Sequence, residues 1–333
     1  MVNANAPSLA VTAETWPIAG TFAISRGAKT QAAVVIAELS DGSIRGRGEC
    51  VPYARYGESV EVVAAAIEAM RDKIAGGLDR SRLQASMPAG AARNALDCAL
   101  WDFEAKRAGK RAHELAGLPA PRPLVTAYTI SLASPEAMAQ ATAQASERTL
   151  LKIKLGSIDD DDRARIAAVR RAAPRATLIV DANEGWSDAN LACNLAACTQ
   201  AGVVLVEQPL PEGRDEALAH IAHTIPICAD ESARDRKTLS GLCGRYDAIN
   251  IKLDKAGGLT EALAMAAEAE RLGLAVMAGC MVATSLAMAP AMLMAQQARF
   301  VDLDGPLLLA RDRDHGLRYA GSEVFPPTVS LWG

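Results

Sequence analysis

The stretch Leu150-Leu151-Lys152-Ile153-Lys154-Leu155-Gly156 decides the fold, because it combines an apolar strand with two lysines. Side chains alternate across a strand, so Lys152 and Lys154 share one face and their apolar neighbours share the other. Taken alone, this pattern also fits an edge strand whose lysines point into water. Further along, however, other apolar strands end in charged residues, namely Asp181, Glu207, Asp230 and Lys252. Because buried charge survives only when it is paired or bound to a metal, these strand ends predict a functional site.

Length and composition are those of an ordinary globular chain. The 333 residues are 50% hydrophobic and 22% charged, which favours about two domains and a sizeable core. The net charge of −4 has both signs interspersed and argues against a nucleic-acid or membrane partner. Residues 1–10 lack a signal-peptide pattern, and no apolar run is long enough for a membrane span. The seven cysteines are scattered without a CxxC pair, which predicts a cytoplasmic protein without a disulfide framework or a zinc site.

The middle of the chain alternates strands with helices. Predicted strands lie at 124–131, 150–155, 177–181, 203–207, 225–230, 248–252, 275–278 and 300–304. Predicted helices lie at 135–148, 159–173, 188–201, 215–223, 236–243, 259–272 and 284–297. Most of the strands are continuous apolar runs, as expected for strands buried on both faces. The pattern predicts an α/β protein with a (β/α)8-type barrel, whose active site lies at the carboxyl ends of the strands.

The N-terminal region predicts an α+β capping domain. Residues 9–55 have strand patterns with a hairpin turn, and residues 59–75 have helical spacing. Residues 89–102 form a predicted helix of small side chains that can pack closely against a neighbour. Three prolines between residues 119 and 123 mark a boundary. We therefore expect a capping domain at 1–120, a barrel at 121–310 and a tail at 311–333 that returns to the cap.

Three of the charged strand ends predict a metal site. Asp181, Glu207 and Asp230 offer hard oxygen ligands without a His or Cys partner, a set that suits Mg²⁺ or Mn²⁺ rather than zinc. Each carboxylate could instead cap the helix that follows it. Three of them on consecutive strands, facing two lysines, favour the metal site.

The lysines predict proton transfer. Lys154 and Lys252 belong to the second and sixth of eight strands, so they lie on opposite sides of the barrel mouth. A lysine near other positive charge, here Lys152, is expected to have a lowered pKa and to act as a base. Two opposed bases could remove a proton from one face of a carbon and return one to the other face. The alternative for Lys252 is a strand-end lysine in solvent.

Two aspartates lie on the last predicted strand. Asp302 and Asp304 have alternate positions, so both are expected to point into the mouth, where no metal is left for them to bind. They could hold a substrate ammonium group. Their alternative role is a helix cap or a surface turn before Gly305.

With these residues placed, the chain resembles the enolase superfamily, in the branch with a Lys-x-Lys motif on the second barrel strand. Within that branch it is similar to the bacterial dipeptide epimerases. The matching stretches are residues 24–27, 48–59, 88–102, 179–183, 227–232, 250–255 and 302–304. The superfamily is known for a Lys or His base acting with Mg²⁺ on an ene-diolate.

The resemblance implies a role for each candidate residue. Lys154 and Lys252 are then the acid/base pair, and Lys152 assists electrostatically. Mg²⁺ is held by Asp181, Glu207 and Asp230, with Mn²⁺ as the alternative cation. A dipeptide substrate is held through its α-ammonium by Asp302 and Asp304, and through its side-chain carboxylate by Arg26, a cap-loop residue that could otherwise be a solvated arginine.

The implied reaction is a two-base 1,1-proton transfer through a metal-stabilised enediolate, in the reuse of cell-wall peptides. One rival is another reaction of the superfamily, a β-elimination as in o-succinylbenzoate synthase or a cycloisomerisation, whose substrates carry no α-ammonium. A second rival is a non-catalytic binding barrel. The sequence leaves open the oligomeric state, a homo-oligomer included, as well as the preferred N-terminal residue of the dipeptide and which lysine acts on which epimer.

Overall fold

The computed structural model describes residues 7–333, so the first six residues of the predicted capping domain lie outside the described residues. The cap contains a three-stranded antiparallel sheet in the order β1 (Ser8–Ile24), β2 (Gly27–Ser40), β3 (Arg45–Cys50). Its helices are α1 (Val60–Glu68), α2 (Arg71–Ala75), α3 (Arg80–Ser86), α4 (Ala91–Arg107) and α5 (Ala112–Leu115), with a 3-10 turn at Ala54–Tyr56. The long β1–β2 hairpin brings its turn, residues 25–26, over the barrel.

Helix α4 lies directly on strand β3, because the facing residues are small. Ala95 and Ala99 of α4 are fully buried. A Cβ atom at Gly48 of β3 would lie 2.1 Å from the Ala95 carbonyl oxygen. The predicted helix of small residues therefore does pack closely, and its neighbour is the cap sheet.

Eight parallel strands form the barrel, and strands that are neighbours in the sheet follow one another in sequence. They are β5 (Tyr128–Ile130), β6 (Leu150–Lys154), β7 (Thr177–Asp181), β8 (Val203–Glu207), β9 (Ile227–Ala229), β10 (Ala248–Ile251), β11 (Ala275–Ala278) and β12 (Phe300–Val301). The Ala127 amide donates to the Val301 carbonyl oxygen over 2.8 Å, which joins the first strand region to the last. The predicted (β/α)8-type barrel with an N-terminal cap is confirmed.

Helices follow six of the eight barrel strands, as the apolar pattern predicts, whereas β8 and β12 are followed by 3-10 turns. The helices are α6 (Pro135–Gln144), α7 (Asp162–Ala172), α8 (Asp188–Gln200), α9 (Arg236–Leu239), α10 (Leu253–Ala256), α11 (Leu259–Arg271) and α12 (Ser285–Ala295). Short 3-10 turns lie at Glu216–Ala219, Ser240–Leu242 and Gly305–Leu308. No helix within residues 7–333 has the length and apolar character needed to cross a bilayer.

Three predicted elements differ from the structure. Residues 124–131 are not one strand, because Leu124–Val125 (β4) pairs antiparallel with Glu323–Val324 (β14) outside the barrel. The last barrel strand ends at Val301 rather than at residue 304. The predicted helix 215–223 is reduced to one 3-10 turn. Its first residue, Asp215, is buried and accepts hydrogen bonds from the hydroxyl groups of Ser232 and Tyr246, which turns this end of the segment inward.

The C-terminal tail contacts both parts of the molecule. Strand β14 forms a hairpin with β13 (Tyr319–Ala320), and together they extend β4. The last residues instead lie on cap helix α4, where the Trp332 indole donates to the Cys98 carbonyl oxygen over 3.0 Å. The domain boundaries at residues 120 and 310 stay a prediction. The Trp332 contact with α4 supports the expected return of the tail to the cap.

Candidate active site

Lys154, Asp181 and Glu207 lie side by side at the carboxyl ends of β6, β7 and β8. Lys154 is in register with Asp181, and Asp181 is in register with Glu207. The Lys154 Nζ atom lies 2.7 Å from Asp181 Oδ2, and all three residues are buried. Because β6 has a hydrogen-bonded strand on both sides, the edge-strand interpretation of its lysines is wrong.

Lys152 is a buried positive charge, with 1% of its surface exposed. Its Nζ atom lies 2.6 Å from Glu207 Oε2, 2.8 Å from Asp302 Oδ2 and 3.2 Å from Asp181 Oδ2. Burial opposes the charged form, but the attraction of Asp302, Glu207 and Asp181 outweighs burial and raises the pKa of Lys152 well above its ordinary value. Lys152 therefore stays charged and neutralises part of a cluster of carboxylates.

Lys252 lies across the barrel, four strands from Lys154. It follows β10 directly, and its Nζ atom lies 2.7 Å from Asp230 Oδ2. Burial favours the neutral form, but the attraction of Asp230 outweighs it and raises the pKa of Lys252 well above its ordinary value. The predicted lowering of the pKa is therefore wrong for Lys252, because the charge nearest to its ammonium group is the Asp230 carboxylate and not Lys152.

Two residues of this cluster had no role in the sequence analysis. Lys255 Nζ lies 2.6 Å from Asp230 Oδ1, so Asp230 is shared by two lysines. Asn250 Nδ2 donates to Glu207 Oε1 over 2.7 Å. Two signals could have found them. Asn250 precedes Lys252 by two residues, so the two side chains share one face of the strand. Lys255 lies about one helical turn after Lys252.

Asp302 and Asp304 both line a cavity at the barrel mouth, but their surroundings differ. Asp302 is paired with Lys152, whereas Asp304 Oδ2 accepts a hydrogen bond from the Thr129 amide over 2.6 Å. Burial and the neighbouring Asp302 raise the pKa of Asp304 to about 7. Asp304 precedes the 3-10 turn that starts at Gly305, yet its side chain does not cap that turn. These contacts disfavour the helix-cap and surface-turn interpretations.

Arg26 lies over the barrel mouth and contacts barrel loops rather than solvent alone. Its Nη1 atom donates to the Asn183 carbonyl oxygen over 2.8 Å and to Glu184 Oε2 over 3.0 Å. Its Nη2 atom donates to Glu231 Oε1 over 2.6 Å. The interpretation of Arg26 as a solvated loop arginine is therefore wrong, and the guanidinium already holds two carboxylates.

The donor chemistry of the site fits a hard divalent cation. Within residues 7–333, no three His, Cys, Asp or Glu side chains stand together as a ready-made metal-binding group, because lysine ammonium groups lie between the carboxylates. The carboxylates nevertheless lie close enough to repel one another. Burial raises the pKa of Glu207, and the carboxylates of Asp181 and Asp230 raise it further.

Buried oxygen atoms around the site also indicate a bound cation. Among the described residues, five buried side-chain oxygens near the mouth have no hydrogen-bond partner, namely Asn183 Oδ1, Glu207 Oε2, Glu231 Oε2, Asn250 Oδ1 and Asp302 Oδ1. Buried oxygen acceptors of this kind are normally satisfied by a donor or a cation. The residues present therefore fit a bound cation and a polar ligand.

A cavity of ≈ 850 Å³ lies between the cap and the barrel mouth. The cap contributes Phe22 and Arg26 to its walls, and the barrel contributes Lys154, Lys252 and Asp302. Its volume falls within the range of about 300–1,000 Å³ that is typical of small-molecule sites. The site therefore combines opposed lysines, buried carboxylates and room for a small ligand.

The chain belongs to the enolase superfamily. Residues 136–326 match the family described as enolase C-terminal domain-like, and residues 6–117 match the N-terminal domain of mandelate racemase and muconate lactonizing enzyme. These two matches correspond to the barrel and to the cap, and they confirm the predicted family.

Particular relatives narrow the comparison to epimerases and racemases. The chain is 46% identical to the L-Ala-D/L-Glu epimerase of Escherichia coli (strain K12), over 93% of this chain and 97% of the relative. It is 44% identical to the N-acetyl-D-glutamate racemase of a Pseudoalteromonas species, over 90% and 95%. A crystal structure of an enolase family member from Agrobacterium tumefaciens, with homology to dipeptide epimerases and with bound sodium and L-Ala-L-Glu, superposes with a TM-score of 0.96. That protein is 59% identical to this chain and covers 98% of it, and the match covers 100% of that protein.

Proposed function

We propose that this chain is an isomerase, a Mg²⁺-dependent epimerase of L-Ala-D/L-Glu that inverts the α-carbon of the C-terminal residue. One observation carries the proposal. Lys154 and Lys252 lie four strands apart on opposite sides of one barrel mouth, above a buried group of carboxylates. A relative with 46% identity carries the name of this activity.

Asp181, Glu207 and Asp230 would hold the Mg²⁺ ion, with Mn²⁺ as the alternative. Solved relatives with 27–29% identity contain Mg together with a dipeptide, which supports a divalent cation here. When bound, the cation supplies positive charge to the substrate carboxylate and so makes the neighbouring α-proton more acidic.

The two lysines move the proton. One Nζ atom, in its neutral form, accepts the α-proton from one face of the substrate, and the opposite ammonium donates a proton to the other face. Lys152 remains charged and stabilises the negative charge that develops on the substrate. Asp181 and Asp230 orient Lys154 and Lys252 through the ion pairs described above.

The remaining charges match the other ends of the dipeptide. Asp302 and Asp304 would bind the α-ammonium of the alanine, and Arg26 would bind the carboxylate of the glutamate side chain. Arginine suits that role because its planar fork can bind a carboxylate in a bidentate manner. We place the reaction in the reuse of cell-wall peptides in the cytoplasm, as the resemblance to dipeptide epimerases implies.

Racemisation of an N-acylated glutamate is the second candidate. The relative named N-acetyl-D-glutamate racemase is 44% identical, nearly as similar as the dipeptide epimerase. Both substrates present a glutamate to the reacting site, and they differ in the α-ammonium. The buried Asp304 favours the dipeptide, because Asp302 is already paired with Lys152 but a neutral acetyl group would leave Asp304 without a cation.

Solvent deuterium exchange tests the proposal. The enzyme is incubated in D₂O with Mg²⁺ and either L-Ala-L-Glu or N-acetyl-L-glutamate, and α-deuteration and inversion are followed by NMR and by chiral chromatography. We expect deuteration and inversion with the dipeptide, their loss in excess chelator, and their recovery when Mg²⁺ is restored. Faster inversion of N-acetyl-L-glutamate would favour the second candidate. No exchange with any acyl-glutamate or dipeptide would favour a non-catalytic barrel.

A further inference from the structure

Six charged side chains of alternating sign run from the barrel mouth to the surface. Neighbouring groups in this chain of ion pairs lie 2.6, 3.0, 2.5, 3.5 and 2.7 Å apart. Two of the arginines belong to the cap, and the other four residues belong to barrel loops. We call this set the charge clasp, and its members in order are Glu231, Arg26, Glu184, Arg55, Glu212 and Arg234.

The terminal nitrogens of Arg26 have no free N–H group. Nη1 donates to the Asn183 carbonyl oxygen and to Glu184 Oε2, and Nη2 donates to Glu231 Oε1 and to the Tyr53 hydroxyl group. These four contacts engage all four terminal N–H groups. A ligand carboxylate can therefore form a bidentate contact across these two nitrogens only if one of the present acceptors gives way.

The two carboxylates on Arg26 differ in what they would lose. The side chain of Glu231 is 2% exposed, and its Oε2 atom has no hydrogen-bond partner within residues 7–333. Losing Arg26 would leave a buried carboxylate uncompensated, which is costly. Glu184 has other donors, because its Oε1 atom accepts from Arg55 Nη2 over 2.5 Å and from the Glu212 amide over 2.8 Å.

Glu184 is therefore the partner that can leave. Its contact with Arg26 is the longer of the two ion pairs, 3.0 Å against 2.6 Å. When that contact breaks, Arg55 still neutralises Glu184, so no charge is stranded. Backbone geometry fixes the side chain near its place, because Glu184 has a left-handed φ of 65° and its amide donates to the Gln208 carbonyl oxygen.

We propose that Glu184 occupies the position on Arg26 that the side-chain carboxylate of the ligand takes, so that binding is an exchange of one carboxylate for another. Arg55 retains the displaced Glu184, and Glu231 keeps Arg26 aimed at the cavity. Glu184 thus sets how strongly an anionic ligand side chain is preferred, since such a side chain must displace Glu184 from Arg26 whereas a neutral side chain need not. The identity of that ligand as a glutamyl dipeptide rests on the proposed function above.

Binding measurements test the exchange without relying on turnover. Isothermal titration calorimetry with Mg²⁺ present gives Kd for L-Ala-L-Glu and for the neutral analogue L-Ala-L-Gln, in wild type and in Glu184→Gln. Removing the competing carboxylate is expected to tighten L-Ala-L-Glu by about two- to fivefold, the strength of a partly exposed ion pair. The ratio of the two Kd values should shift in favour of the glutamyl ligand.

Two further variants separate exchange from a general change in charge. Glu212→Gln removes the same charge two ion pairs further out, and should leave the ratio of the two Kd values near that of wild type. Glu184→Asp keeps the charge but withdraws it from Arg26 by one methylene, and should still favour the glutamyl ligand. An unchanged or reversed ratio in Glu184→Gln, or an equal shift in Glu212→Gln, would overturn the exchange.

Turnover on the same samples separates this inference from the proposed function. Tighter L-Ala-L-Glu binding without α-deuteration would retain the exchange and reject the epimerase. Deuteration by wild type without the shift in Kd ratio would reject the exchange alone. Failure of wild type to bind L-Ala-L-Glu would reject both.

Discussion

Lys154 and Lys252 are held differently, although both lie at the same barrel mouth. Lys154 is paired with Asp181, whereas Lys252 shares Asp230 with Lys255. Each lysine therefore depends on a carboxylate that we also propose as a metal ligand. A cation at these carboxylates would compete with the ammonium groups, and this competition opposes the raised pKa of Lys252.

Replacing either lysine should abolish inversion but leave α-proton exchange with one epimer of the substrate. In Lys154→Ala and Lys252→Ala, we expect epimerisation of L-Ala-L-Glu to fall by about 10²- to 10⁴-fold, the usual contribution of a positioned acid or base. Each variant should retain α-proton exchange with only one epimer of the glutamyl residue, and the two variants should retain opposite epimers. NMR in D₂O with each epimer measures this. Residual exchange that does not depend on the epimer in either variant would contradict the two-base mechanism.

Arg26→Ala should lower kcat/KM more for a dipeptide with an anionic C-terminal side chain than for one with an apolar C-terminal side chain. Losing a charge-assisted contact costs roughly 1.5–3 kcal/mol of transition-state binding, or about ten- to a hundredfold in kcat/KM. The loss should be found with L-Ala-L-Glu and be much smaller with a dipeptide that ends in an apolar residue. Equal losses with both substrates would mean that Arg26 only supports the β1–β2 turn.

At the level of elements, the cap depends on the close approach of β3 and α4. The two glycines of β3, Gly46 and Gly48, both face the backbone of α4, so the separation between sheet and helix is set by the absence of a side chain. The same hairpin sheet carries Arg26 at the β1–β2 turn. The packing of this sheet on α4 therefore helps to position Arg26, which we propose as a binding residue.

Gly48→Ala should destabilise the cap. The added Cβ atom would lie 2.1 Å from the Ala95 carbonyl oxygen and 2.7 Å from the Ala99 nitrogen, and helix backbone cannot yield cheaply. Overpacking of this kind costs about 1–3 kcal/mol of unfolding free energy. Thermal unfolding followed by circular dichroism should show a lower melting temperature than wild type. Gly241→Ala is the matched control, because no heavy atom lies within 4 Å of its Cβ position. An equal effect in both variants would contradict the packing argument.

Over the whole molecule, buried polar groups join the cap to the barrel. Asp254 of α10 accepts hydrogen bonds from the Val51 amide over 3.0 Å and from Asn94 Nδ2 over 2.8 Å, both in the cap. Burial raises the pKa of Asp254 from 3.8 to about 7. The folded protein therefore favours the protonated carboxyl group, and the interface should respond to pH.

Asp254→Asn should change the pH dependence of stability. The folded state of the wild type binds more protons than the unfolded state between about pH 4 and pH 7, so this group's contribution falls as pH rises through that window and stays lowest above it. An amide keeps both accepted hydrogen bonds but does not ionise. Relative to wild type, the variant should gain unfolding free energy as pH rises, on the order of 3–4 kcal/mol by pH 8. Urea denaturation at pH 4, 6 and 8 measures the difference, and a constant difference across that range would contradict the assignment.

The sequence by itself determined the barrel and the charged residues at its mouth. Strand alternation and helical spacing are local patterns, so they located all eight barrel strands, although Leu124–Val125 was wrongly joined to the first. The charged strand ends Lys154, Asp181 and Glu207 could be placed together because parallel strands in register bring their carboxyl ends into one row.

Only the tertiary structure decided which charges pair. Arg26 contacts residues 157 and 205 positions further along the chain, and no local pattern specifies contacts at that separation. Pairing also reversed the expected direction of the Lys252 pKa, because attraction falls with distance and Asp230 lies 2.7 Å away. Residues 215–223 lost their predicted helix for a similar reason, since burial of Asp215 against Ser232 and Tyr246 overrides helical spacing.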